Sequence, residues 1–189
     1  MNEITPHVSK LESFYSRLAR GRIVLIFGVF YVLNQAALMA MFSRQGTDPL
    51  ILQITMSKDV FMDVLTRWGA DGVTRYLTHF CLDGYHPILY SVFLASAIAL
   101  LSKRPGLPPS GSIKIFFVLP FIAGLCDVIE NILHILMLTG FMDITGASVA
   151  ISGSITNTKW FLAFVSIIAI CVLGVKKLAS KKERPVNEV

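Results

Sequence analysis

Charge is what this chain of 189 residues has least of. Asp, Glu, Lys and Arg make up 15%, against 54% hydrophobic residues, and the mean hydropathy is +0.65. Surface charge that sparse cannot keep a compact globule of this size in water, so a bilayer is the expected solvent. The three cysteines, Cys81, Cys126 and Cys171, have no CxxC spacing and fall in three separate apolar stretches. That argues against a disulfide framework or a thiolate zinc site and leaves them as packing residues. There is no HExxH signature, internal repeat or low-complexity segment.

Four long apolar runs are present, at about 23–42, 79–101, 115–139 and 153–175. Each is long enough to cross a hydrocarbon core of roughly 30 Å at about 1.5 Å per residue. The first exceeds the apolar core of a secretory signal, about 7–15 residues, although ALMA at 37–40 resembles a cleavage site; it is expected to be a membrane span. PGLPPSG at 105–111 reads as a helix-breaking loop. The expected fold is therefore all-α: one polytopic membrane domain over 1–189, a four-transmembrane-helix bundle with tails at 1–22 and 176–189.

Basic residues set the expected orientation. The N-terminal tail holds Lys10, Arg17, Arg20 and Arg22; the 103–114 connection holds Lys103, Arg104 and Lys114; the C-terminal tail holds Lys176, Lys177, Lys181, Lys182 and Arg184. The 43–78 connection has four, balanced by Asp48, Asp59, Asp63 and Asp71, and 140–155 has none. Both termini are expected on the cytoplasmic side, in a bacterial inner (plasma) membrane. The net charge of +5 is mostly this asymmetry plus attraction to anionic headgroups, so membrane lipids are the expected partners and nucleic acid is not.

The first outer connection has structure of its own. Ser57 suits an N-cap and Asp59 a first turn; Val60, Phe61, Val64, Leu65 and Trp68 then give an apolar stripe ending at Gly69. This predicts a short amphipathic helix over about 58–68, either an interfacial linker or a lid over an outward-facing site. Asp71 can cap a helix continuing through Tyr76 into the second span.

Polar residues inside the spans fall on shared faces. At about 100° per residue, Asp127, Glu130, Asn131 and His134 in CDVIENILH lie within one arc of about 100°. Pro120, Ala123 and Gly124 continue that face and allow close helix approach. In the second span Asp83, His86, Pro87 and Tyr90 share a face about 100° wide, and Pro87 is expected to kink the helix. Ser152, Thr156, Lys159, Ala163 and Ser166 share another, and Asn34 and Gln35 come from the first span. The ionisable members all lie centrally or in the outer half.

An Asp or Lys at a helix centre costs about 2.5–3.5 kcal/mol on insertion scales. The acids must therefore face one another, water or a ligand. Asp83, Asp127 and Glu130 outnumber Lys159, which calls for a proton, a metal or a captured cation. Three functions compete. One is an intramembrane enzyme acting by acid/base chemistry on a lipid-like or isoprenoid-like small molecule. Its catalytic groups would be Asp127, Glu130, Asp83 and Lys159, with His86, Tyr90, Asn131, His134, Asn34 and Thr156 binding substrate. In a metal variant Glu130 and His134 act together, but Glu-x-x-x-His alone is a weak signal and no metal site is assigned. The others are a scaffold held by a polar network and a small proton-coupled transporter, which at this size needs a homo-oligomer to form a pore. The sequence does not identify a cofactor.

Gly69, Gly72 and Tyr76, Asp83, Pro87 and Tyr90, Pro120, Asp127, Glu130 and Asn131, and Thr156, Lys159 and Trp160 form a pattern across the last three spans. It resembles small, largely uncharacterised four-helix integral membrane proteins, mostly bacterial, with D-x-x-E-N in the third span. That resemblance implies the fold and the position of the site, and no activity.

Overall fold

The computed structural model describes residues 9–43, 48–103 and 109–182. Arg44, Arg104, Arg184 and most of the PGLPPSG loop lie outside the described residues, as do both ends of the expected tails. Among the described residues there are seven helices and no strand.

The first helix, α1 (Lys10–Leu18), occupies what the sequence suggests is a plain charged tail. Ser9 and Glu12 close a capping box, each side chain bonding the other's backbone N–H, which satisfies two donors at the helix start. Its apolar face is buried through Tyr15 and Leu18 against Ala95, Ile98, Ala99 and Phe117. The Tyr15 hydroxyl donates to the Ala99 carbonyl at 3.2 Å and shares a 2.9 Å hydrogen bond with Ser102. Glu12 pairs with Lys114 at 2.7 Å, and that ammonium holds the Glu12 carboxyl below the usual range.

Helix α2 (Gly21–Phe42) is apolar on every side and buries only Leu38 fully, which suits a helix surrounded by lipid. After the short α3 (Asp48–Ile54), α4 (Lys58–Asp83) starts at Ser57, whose hydroxyl accepts the Val60 N–H at 3.5 Å. At Gly69 the backbone leaves helical geometry (φ 62°, ψ −172°), a conformation that residues with a Cβ rarely adopt. The first half of α4 does not lie on the surface alone. Phe61 and Val64 are fully buried with Leu52, Tyr76, Met137 and Val149 in a core beneath it. Arg67 ties this region together, pairing with Asp63 and, at 3.0 Å, with Asp48.

The kink expected at Pro87 within 79–101 lies a little earlier. The chain breaks at Gly84 and Tyr85, and α5 (His86–Ser102) leaves α4 at 43°. Pro87 stands in the first turn of α5, where its missing N–H costs no helical hydrogen bond, rather than inside a kinked span. The other two expected inner spans fall within α6 (Gly111–Leu138) and α7 (Gly146–Lys182), the latter longer than 153–175. Helices α2, α6 and α7 are long and apolar enough to cross a membrane, and the bent pair α4–α5 makes a fourth if it acts as one span.

Helix α6 packs against both α5 and α7, and α2 lies along α5. The α5–α6 approach depends on Gly124. A Cβ there would run into the Ser91 hydroxyl, which donates to the Pro120 carbonyl at 2.8 Å, and would lie 3.1 Å from the Pro87 carbonyl. Of the cysteines read as packing residues, Cys81 and Cys171 are exposed and Cys126 is half-buried. The first two sit on outward surfaces, where a membrane helix meets lipid, so they pack against no protein core.

Candidate functional site

The three-and-four spacing along α6 puts Asp127, Glu130, Asn131 and His134 on one buried face. Helix α7 brings Ser152, Thr156 and Lys159 against it, all buried. The Lys159 ammonium, 6% exposed as a residue, donates to Asp127 Oδ1 at 3.0 Å and lies 2.6 Å from Glu130 Oε2. One cation thus bridges two acids that are one turn apart on the facing helix. Tyr90 of α5 turns its hydroxyl toward Asp127, while Thr156 sits beside Glu130 and donates its own proton to the Ser152 carbonyl at 3.1 Å.

A second group lies between α4 and α6. The Asn131 amide donates to Asp83 Oδ2 at 2.6 Å. His79, also on α4, gives its Nδ1–H to the Tyr76 carbonyl and holds Nε2 4.0 Å from the same Asp83 oxygen. The Tyr76 hydroxyl and His134 Nδ1 are 2.8 Å apart, and the Phe61 ring meets His134 edge-on at 5.7 Å between centroids.

Asn34 and His86 come together as well, the amide 3.1 Å from His86 Nδ1, with the His86 and Tyr90 rings 5.4 Å apart between centroids. The face drawn for Asp83, His86, Pro87 and Tyr90 is bent by 43° between Asp83 and the other three, at Gly84 and Tyr85. Asp83 and Tyr90 are nevertheless both buried. Glu130 and His134, weighed as a metal pair, are engaged by Lys159 and Tyr76, and among the described residues no three His, Cys, Asp or Glu side chains converge as a metal site.

Sequence reasoning passed over His79 and Tyr76 as site residues. The signal was there: Tyr76, His79 and Asp83 follow the three-then-four spacing of one helical face.

The network is not closed on itself. His79 Nε2, His134 Nε2, Asn131 Oδ1 and the Ser152 hydroxyl are buried without a hydrogen-bond partner among the described residues. Such groups normally find one. Alongside, on the outward side of α5 and α6, an apolar cleft of about 260 Å³ runs past Pro87, Ser91, Gly124 and Val128. Val128 and Gly124 lie one residue and three residues from Asp127 in the same helix.

Compared with protein-family models, with curated proteins and with solved structures, the chain matches none.

Proposed function

We propose that the chain is a four-span integral membrane protein of a bacterial inner membrane, with both termini cytoplasmic. Its buried centre performs acid/base chemistry on a lipid-like or isoprenoid-like molecule. One observation carries this reading: the polar cluster holds more acid than Lys159 neutralises, and several of its buried donors and acceptors lack partners. A network serving only to fix helices has no use for a surplus of either kind. Asp127 and Glu130, bridged by Lys159, form the proton-exchanging pair. Lys159 steadies negative charge as it develops, and Tyr90 and Asn131 orient the polar end of the substrate. The neighbouring apolar cleft suits a hydrocarbon chain.

The direct pairings favour a second reading. Lys159 to Asp127 joins α6 to α7, and Asn131 to Asp83 joins α6 to α4, as a scaffold would require. Lipid and isoprenoid profiling separates the two. Cells expressing the wild-type chain should differ from cells expressing Asp127→Asn or Glu130→Gln at matched levels of folded protein. Identical profiles, with the variants only less stable, would leave the scaffold.

A further inference from the structure

In the group between α4 and α6 the donors of His79 and Asn131 are already engaged, and acceptors are left over. A carbonyl oxygen can only accept, so His79, bonded at Nδ1 to the Tyr76 carbonyl, carries a proton there, and as a neutral ring it turns a lone pair outward at Nε2. That lone pair has no partner, and the residue is 1% exposed. It faces Asp83 Oδ2 across 4.0 Å, too far for a direct hydrogen bond. Asn131 gives its amide to the same Asp83 oxygen, which leaves its own carbonyl oxygen unpartnered and the residue 7% exposed. Two acceptors from α4, His79 Nε2 and Asp83 Oδ2, thus face each other across that gap, and Asn131 of α6 adds an unpartnered carbonyl oxygen beside them. A nitrogen seated about 2.8 Å from both Nε2 and the carboxylate bridges that gap as a charge-assisted donor.

Charge and surroundings narrow the occupant. The buried acids exceed the one buried lysine, so a cation is favoured over water alone. Aromatic rings crowd His79: Phe80 at 4.1 Å, Tyr76 at 4.4 Å and Phe42 at 4.8 Å between centroids, and ring faces attract cations. Height matters too. Phe42 is the last residue of α2, so His79 stands level with the end of a 22-residue span. In a membrane that is the depth of the headgroups. Asp83, whose side chain keeps 11% of its surface open beside the α4–α5 break, is the exposed edge of the site.

We propose that His79, Asp83 and Asn131 bind a primary ammonium group, supplied by an aminophospholipid headgroup or by a free amine. The site rests on the membrane reading of the chain; it shares Asn131 with the proposed acid/base centre but requires no proton exchange at Lys159.

The test uses the full-length protein in nanodiscs. Native mass spectrometry should find phosphatidylethanolamine retained in preference to phosphatidylglycerol from an equimolar mixture. Asp83→Asn and His79→Phe should each lower that preference by about tenfold, the usual order for losing a charge-assisted contact. Asp127→Asn should keep it, which distinguishes this site from the acid/base centre. In discs of phosphatidylglycerol alone, ethylammonium chloride raising Tm where tetramethylammonium chloride does not would identify a free amine as sufficient. If only phosphatidylethanolamine acts, the source is the lipid. Because the lipid comparison needs no variant, misfolding of His79→Phe cannot rescue the idea. Equal retention of both lipids, together with equal effects of the two ammonium salts, would overturn it.

Discussion

Helices α5, α6 and α7 pack by one rule toward the end where α1 docks and by another toward the opposite end. In the first region Ala95, Ile98 and Ala99 meet Phe117, with Tyr15 of α1 closing the base. In the second, Tyr90, Asp127, Glu130, Thr156 and Lys159 meet through charge and hydroxyl groups. Lipid tails are as apolar as leucine, so apolar burial alone does not drive helices together in a bilayer. The lower region therefore relies on close approach over small residues. The upper region relies on polar groups that have nowhere else to go.

That comparison can be broken from either side. The largest effect is expected for Lys159→Met, which leaves two buried carboxylates facing each other. Removing one partner of a buried pair costs about 3–5 kcal/mol, readable as lost unfolding free energy in detergent titrations. A smaller effect there would mean that the acids already hold a proton. Next comes Gly124→Ala, which drives a methyl group into the Ser91 hydroxyl and toward the Pro87 carbonyl. Overpacking of this kind costs about 1–3 kcal/mol. Adding Ser91→Ala should recover part of it; no recovery would move the contact elsewhere.

Tyr15→Phe removes the hydroxyl that bonds Ala99 and Ser102 while leaving the ring in place, for about 1 kcal/mol. The same substitution at Tyr90 should cost more if the polar half is the more demanding one. The smallest effect is acid-dependent. Because Lys114 depresses the Glu12 carboxyl below its usual value of 4.5, the pair contributes above that pH and fades as the pH falls through the lower, folded value. The Tm difference between wild type and Glu12→Gln should therefore be visible near about pH 6 and shrink toward zero near about pH 3. A gap that persists in acid would assign the stabilisation to α1 packing instead.

Much of the layout was legible because lipid imposes simple rules. Long uncharged runs mark α2, α6 and α7, and the spacing of Asp127, Glu130, Asn131 and His134 identifies one face without any coordinates. Lys159 could be matched to that face by charge alone. Three features were hidden for physical reasons. The wheel drawn through Asp83 and Tyr90 is a projection down one axis, and the axis turns by 43° between α4 and α5. The basic residues of the N-terminal tail masked α1, although the S-x-x-E spacing of Ser9 and Glu12 announces its cap. His79 lay at the edge of the span, where histidine is unremarkable, until its relation to Asp83 placed it inside.

The lysine bridge also bears on how the chain is made. Emerging from the ribosome first, α6 would offer lipid two carboxylates, each costing about 2.5–3.5 kcal/mol near the bilayer centre, with no countercharge yet synthesised. Only residues 139–145 separate it from the helix that carries the remedy. The segment is thus suited to wait in the translocation channel and partition sideways as a hairpin with α7. In a stalled chain whose Lys159 is still inside the ribosome, a crosslinker on α6 should reach the translocation channel; once Lys159 has emerged it should reach lipid and α7.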